Sequence, residues 1–285
     1  MIQSTAISDL FTEWEIPWLV TSELALTAII YARGWYRIRR TRPARFNAWR
    51  LSSFLAGIAA LFVSVASPLD TFSESLLFMH MAQHFVFMFI APPLILLGAP
   101  VVPILRGLPK WLLHLLRPLF VNGVLPAAGR FLIRPAVAWI AMSAAFIGWH
   151  TPRAYEFALR SESWHNLEHA CFFFTNLIFW WPVIRPWPSR SLHSTWLLIP
   201  YVLAADVVNT VVAACLCFSG RLLYPSYGEI VRPLGLSALN DQIAAGAFMW
   251  VCGSIVYLIP VVIVVMQNLS PTAHSPKRLA EHLSH

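Results

Sequence analysis

The chain has 285 residues, 58% of them apolar and only 12% charged, with a net charge of +7 and a mean hydropathy of +0.64. A soluble domain carries roughly twice that charged fraction, and several apolar runs reach or approach the roughly 20 residues that an α-helix needs to cross hydrocarbon. Composition therefore excludes an ordinary soluble domain and indicates an all-α, polytopic integral membrane protein.

Met1–Pro17 contains no Lys or Arg and no early apolar core, so no signal peptide is expected there. Seven transmembrane helices are predicted, at roughly 17–33, 50–67, 75–97, 135–150, 164–184, 195–217 and 241–266. The fourth is the shortest. Between the third and fourth, "WLLHLLRPLF" (111–120) is too short to span and mixed in polarity, which suits a helix lying in the interface. The chain ends in a short tail, 267–285. No Gly/Ser-rich linker or internal repeat divides it, so 1–285 reads as one seven-helix domain.

The loops set the orientation. Seven arginines follow the first span, and Arg106, Lys110, Arg117, Arg130 and Arg134 lie between the third and fourth. With Arg185, Arg190, Lys277 and Arg278, sixteen of the twenty Lys and Arg fall on one side. Positive loops stay in the cytoplasm, so the N-terminus is expected outside and the C-terminus inside. The basic excess is thereby explained by topology, and nucleic acid is not an expected partner. His114, His193, His274, His282 and His285 fall in inner loops or the tail and read as solvated.

The other five histidines gather at one depth. "MHMAQHFVFMF" (79–89) opens the third span with His80 and His84, "GWHTP" closes the fourth with His150, and "SWHNLEHACFF" opens the fifth with His165 and His169. Residues four apart share one face of a helix, so each HxxxH can offer two ring nitrogens to one ion. Asp241 and Gln242 begin the seventh span at the same outer level. Glu168 sits beside the second histidine stripe, Asn176 continues it, and Met81 and Met88 flank the first. Thr151-Pro152 reads as the N-cap and first residue of a short outer helix.

Neutral imidazole suits copper, zinc and iron, and thioether favours Cu(I). Histidine with nearby methionine points to copper; haem b between two histidines requires the same residues and is the rival. Interhelical hydrogen bonding is the structural alternative for any one intramembrane histidine, but polar groups within a bilayer usually mark function. Asp206, near the middle of the sixth span with Asn209 one turn away, is a candidate proton relay or a supporting partner. Pro92 and Pro93 are expected to bend the inner half of the third span. Cys171, Cys215, Cys217 and Cys252 read as buried small apolar residues. No nucleophile elbow, Gly-rich phosphate loop or HExxH glutamate is present.

"SPLDTFSESLLFMHMAQHFVFMFIAPPLILLGAP" (67–100), "GWHTPRAYEFALRSESWHNLEHACFF" (148–173) and "NDQIAAGAFMW" (240–250) resemble the polytopic CtaG family of cytochrome c oxidase assembly proteins, associated with caa-type oxidases. The resemblance runs from about 50 to 265. It implies a non-enzymatic accessory role in maturing haem–copper oxidases in the bacterial plasma membrane, with copper delivered or inserted. It also implies oxidase subunits as partners, with copper supplied by an extracytoplasmic donor. The family's histidine blocks fall on His80, His84, His150, His165 and His169, and its Asp-Gln pair on Asp241 and Gln242. Where the family pattern has Gly-Gly, this chain has Ala245-Gly246. On that reading Asp241 and Glu168 would accept the second ring N–H of metal-bound histidines.

Overall fold

The computed structural model describes residues 14, 16–121, 123–189, 194–228 and 235–269, and among them every regular element is helical. Helix α1 (Trp18–Arg39) is followed by α2 (Ala48–Ala66), which Asn47 caps by accepting from the Arg50 amide. Ser67 ends α2 and caps the short α3 (Pro68–Ser75), accepting from the Leu69 amide at 3.2 Å, with Pro68 in the first turn where it needs no N–H donor. Then comes α4 (Leu77–Leu97), which carries the first histidine pair.

The prolines of α4 act differently from a simple bend. The helix slackens into a π turn over Val86–Ile90, just ahead of them, and resumes at Ala91–Leu97. Pro92 has no N–H to give the carbonyl four residues earlier, which is that of Met88. The Trp180 indole N–H supplies the missing donor at 3.0 Å, from another helix. The orphaned carbonyl thus becomes a tie between two spans.

Helix α5 (Val101–Gly107) packs against α1 through two glycines: a Cβ on Gly34 would lie 1.7 Å from the Pro103 carbonyl oxygen, and one on Gly107 would lie 1.8 Å from that of Ile30. Helix α6 (Lys110–Val121) follows where an interfacial helix was expected, with Trp111, Leu115 and Leu119 exposed at four-residue spacing. Helices α7 (Val124–Leu132) and α8 (Pro135–His150) lead to α9 (Pro152–Leu159). Thr151 occupies the N-cap position of α9, but its hydroxyl turns back to the Gly148 carbonyl at 2.7 Å instead of capping.

Helix α10 (Glu162–Ile184) carries the second histidine pair, α11 runs Thr195–Phe218, and α12 runs Ala238–Leu269. Where α11 and α12 touch, a Cβ on Gly246 would meet Cys217 Sγ and Leu216 Cβ at 2.8 Å. The Ala245-Gly246 step therefore keeps one glycine where contact requires it.

Five helices (α2, α4, α10, α11 and α12) are long and apolar enough to cross a membrane. A sixth span is obtained if Pro126–Leu132 and Pro135–His150, bent by 71°, count as one. The predicted fourth span, at 16 residues, measures about 24 Å, short of the roughly 30 Å hydrocarbon core. The predicted first span falls outside the apolar set: Glu23, Arg33 and its Ser, Thr and Trp residues keep its stretch of helix less apolar than the other five. The protein is a multi-pass helical membrane protein. His193, His274, His282, His285 and most of the 267–285 tail lie outside the described residues.

Candidate metal centre

The two HxxxH pairs meet. His80 and His84 lie with ring centroids 4.3 Å apart on α4, and His165 and His169 lie 4.2 Å apart on α10. Across the helices, His80 is 5.1 Å from His165, and His84 is 5.2 Å from His169. The four rings form a near-rectangle, and one ligand atom from each can be chosen so that all lie within 4.8 Å of one another. His80, His84 and His169 are buried and His165 is partly so. Helical i, i+4 spacing alone produces two edges of this quartet; the packing of α4 on α10 produces the other two.

Its nitrogens are short of partners. His80 Nε2, both ring nitrogens of His84, His165 Nε2 and His169 Nε2 are buried with no hydrogen-bond partner. Such atoms are costly in a protein interior unless something binds them. The donor set suits a borderline or soft cation, so the chemistry of the residues fits a copper-sized ion.

His150 stands at the edge of the quartet. Its ring is 6.2 Å from that of His84 and 5.6 Å from Phe172, which also packs 4.7 Å from His84. His150 Nδ1 bonds the Phe146 carbonyl at 2.8 Å, which must be an N–H donation, so the Nε2 lone pair is left free. That nitrogen too is buried without a partner.

Glu168 does not attend its own helix's stripe. Its carboxylate is buried, and Oε1 lies 3.9 Å from His84 Nε2 on α4, beyond hydrogen-bond reach. Neither of its oxygens has a hydrogen-bond partner. Asn176 turns its amide back to the Phe172 carbonyl at 2.9 Å, leaving its buried side-chain oxygen unpaired.

Asp241 and Gln242 take roles the sequence did not suggest. Asp241 Oδ2 accepts from the Leu77 amide at 2.8 Å and Oδ1 from the Phe78 amide at 3.1 Å. These are orphan donors of the first turn of α4, so α12 supplies in trans the cap that Leu76 cannot give. Both oxygens serve the helix that bears His80 and His84, and an anion at that end also matches the helix dipole. Gln242 organises the loop after α11: its amide donates to Leu216 O, Ser219 Oγ and Arg221 O, and its carbonyl accepts from the Leu223 amide at 2.7 Å.

That loop brings in residues the sequence left unmentioned. Tyr227 donates its hydroxyl proton to the Ser73 carbonyl at 2.8 Å, and His80 Nδ1 approaches the Tyr227 hydroxyl oxygen at 3.2 Å. With that proton committed, His80 must give its own Nδ1–H to Tyr227, which leaves Nε2 as the free lone pair. Burial pushes the Tyr227 hydroxyl well above the ordinary phenol range, so it stays a donor. Tyr155 lies 3.3 Å from Tyr227, oxygen to oxygen, and Tyr224 donates to the His150 carbonyl at 2.9 Å. Glu156 on α9 holds the loop down through the Ser226 amide at 3.0 Å and through the Ser226 hydroxyl. Loop tyrosines follow no helical period. The only signal available was two tyrosines three apart in "LYPSYG".

Asp206 belongs to a different place. It accepts from Ser254 Oγ of α12 at 2.7 Å, and Asn209 donates to the Met249 carbonyl at 3.1 Å. It is not among the residues that could share an ion with the quartet. The four cysteines are all free, and the expectation of burial fails for them: Cys215 is exposed and the others are half-buried. Facing a bilayer, a thiol is apolar enough to need no protein cover.

Proteins of Mycobacterium bovis and Mycobacterium tuberculosis, each described only as uncharacterized, are 26% identical over 302 residues. One from Mycobacterium leprae, likewise uncharacterized, is 25% identical over 305 residues. These alignments take in 98% of this chain but 42% of each relative, so the chain spans well under half the length of the curated proteins it matches. No solved structure matches. The family model described as "Cytochrome c oxidase caa3 assembly factor" matches residues 29–270, which include every histidine of the quartet. The chain belongs to the caa3 cytochrome c oxidase assembly factor family.

Proposed function

We propose that the protein is a non-catalytic assembly factor that binds copper, as Cu(I), near the outer face of the bacterial plasma membrane and passes it to a haem–copper cytochrome c oxidase. The family supports the assembly role and the association with the oxidase. One observation carries the copper reading: four histidines on two helices have ligand atoms within 4.8 Å, and their buried nitrogens lack partners. On this reading the bundle has seven spans, counting α1 and the bent α7–α8 pair, with the N-terminus outside. The quartet then lies one to two turns below the outer surface, where an extracytoplasmic copper donor can reach it.

His80, His84, His165 and His169 would hold the ion, with His150, its ring 6.2 Å from that of His84, as a reserve ligand at the margin. A cargo site needs such a spare ligand, because a closed cage of fixed ligands would retain its ion. Tyr227 would set the His80 tautomer, and the buried Glu168 carboxylate, 3.9 Å from His84 Nε2, would offset the charge of a bound cation.

Haem b is the second reading. Axial ligands must stand on opposite faces of a broad macrocycle, whereas the quartet's rings touch at 4.2–5.2 Å. That crowding favours a bare ion. Transport through the bundle is disfavoured by buried aromatics further along α4 and α10. Phe89 and Tyr257 lie 5.1 Å apart, and Trp180 and Tyr257 lie 6.1 Å apart.

The test is elemental analysis of the detergent-purified protein after Cu(I) reconstitution, with an absorption spectrum of each sample. Stoichiometric copper in the wild type, lost in a folded His80→Ala/His84→Ala variant, is the expected result. Equal copper in both, or a Soret band with no copper, would overturn it.

A further inference from the structure

The other end of α4 and α10 holds a second unassigned feature. A cleft of about 620 Å³ opens where the start of α2, the end of α4 and the segment after α10 come together. Leu97, on its wall, follows His80 by 17 residues, about 25 Å along the helix. The cleft therefore lies towards the membrane face opposite the histidines.

Its lining divides by chemistry. Arg45, Arg50 and Arg185 converge on it from two distant stretches of chain, with Asn47 and Ser189 between them and no acidic residue. Among the described residues none of these arginines pairs with a carboxylate. Arg185 gives its Nε–H to the Pro182 carbonyl at 3.1 Å, which fixes the guanidinium at the helix end and leaves its terminal N–H groups free. Arg45 lies 5.6 Å over the Trp187 ring and Arg50 5.6 Å over that of Phe46, so aromatic faces hold both guanidinia. The remaining walls are Leu96, Leu97 and Ile184, with the indoles of Trp49 and Trp187 at the rim. The start of α2, whose Arg50 amide is already taken by the Asn47 side chain, turns the positive end of its dipole to the same side.

Three guanidinia gathered in one cleft without a carboxylate attract an anion, and phosphate is the anion their forked donors match best. An apolar wall and two indoles beside that anion describe the boundary between headgroup and acyl chain. We propose that this cleft binds the phosphate headgroup of an anionic phospholipid from the inner leaflet, with the acyl chains lying along Leu96, Leu97 and Ile184. A volume in the range of small-ligand pockets admits one headgroup. The bound lipid would fasten α2, α4 and α10 together at the end remote from the histidines. It does not depend on copper being the cargo.

The test uses the full chain, purified from detergent containing equimolar phosphatidylglycerol and phosphatidylcholine, with retained lipid counted by mass spectrometry after washing. The wild type should retain phosphatidylglycerol over phosphatidylcholine by about tenfold, the scale expected for one to two arginine–phosphate contacts at a membrane surface. In Arg45→Gln/Arg185→Gln the preference should fall to within about twofold. Arg45→Lys/Arg185→Lys should keep most of it, and Arg33→Gln, an exposed arginine outside the cleft, should keep all of it. Each variant is compared at equal monodispersity on size exclusion; if the glutamine pair fails that criterion, Arg185→Gln alone takes its place. Equal retention of the two lipids by the wild type, or an unchanged preference in the glutamine variant, would overturn the proposal. So would displacement of the lipid by millimolar inorganic phosphate regardless of chain length, which would assign the cleft to a free phosphate.

Discussion

Two regions of the bundle bury polar side chains between helices, and they do so in opposite ways. Around the quartet, eight buried atoms lack hydrogen-bond partners: five ring nitrogens of the quartet, His150 Nε2 and both Glu168 oxygens. Between α11 and α12, Asp206 meets Ser254 and Asn209 meets the Met249 carbonyl, with Asn209 Oδ1 the one orphan there. Polar groups that satisfy one another across a helix pair hold that pair together. Polar groups gathered and left unsatisfied raise the energy of the folded chain unless a ligand completes them. Hydropathy and depth make both regions look functional; the state of their hydrogen bonds separates them.

The sharpest way to break that contrast is to remove ligands from both helices. His84→Ala/His169→Ala should abolish stoichiometric Cu(I) binding in elemental analysis while raising thermal stability or leaving it unchanged, because it deletes orphan nitrogens. A copper content equal to that of the wild type would place the quartet among structural polar groups.

The next effect acts through the backbone. Asp241→Ala leaves the Leu77 and Phe78 amides without their acceptor. Hydrogen bonds to charged groups contribute roughly 1.5–3 kcal/mol each, so a loss of about 3 kcal/mol is expected, read as a lower thermal midpoint in detergent. Asp241→Asn, which keeps one acceptor, should lose about half as much. Tyr227→Phe is subtler. It removes the group that fixes the His80 tautomer, and changes in such supporting partners cost about 10–100-fold in metal affinity. A Cu(I) competition titration should show a loss near the lower end of that range, with the fold intact.

How far the sequence revealed this arrangement depends on the kind of information. Spans 75–97, 164–184, 195–217 and 241–266 emerge within a few residues as Leu77–Leu97, Glu162–Ile184, Thr195–Phe218 and Ala238–Leu269, because long apolar runs are local. Each HxxxH face is legible for the same reason. That the faces of α4 and α10 meet was inferable from depth alone, whereas His150 standing at the margin was not. The role of Asp241 was hidden because its partners are backbone amides 164 and 163 residues away, and no side-chain pattern announces an amide. Trp180 was hidden similarly: Pro92 announces a freed carbonyl, but not which helix will answer it. Replacing Trp180 by Phe should therefore cost about 1–2 kcal/mol through the unpaired Met88 carbonyl, again as a lowered thermal midpoint, with copper stoichiometry unchanged.

The smallest expected effect is the most telling about the second region. In Asp206→Asn the amide oxygen can still accept from Ser254 Oγ, and the group is half-buried, so stability should move by no more than about 1 kcal/mol. Copper content should not change, because Asp206 shares no ligand geometry with the quartet. Proteoliposomes loaded with a Cu(I) indicator sharpen the point. If Asp206 were a station on a path through the bundle, copper would enter with wild-type protein and entry would fall with Asp206→Asn. If it is an interhelical tie, neither protein admits copper, and cargo taken up at the histidines leaves by the face from which it came.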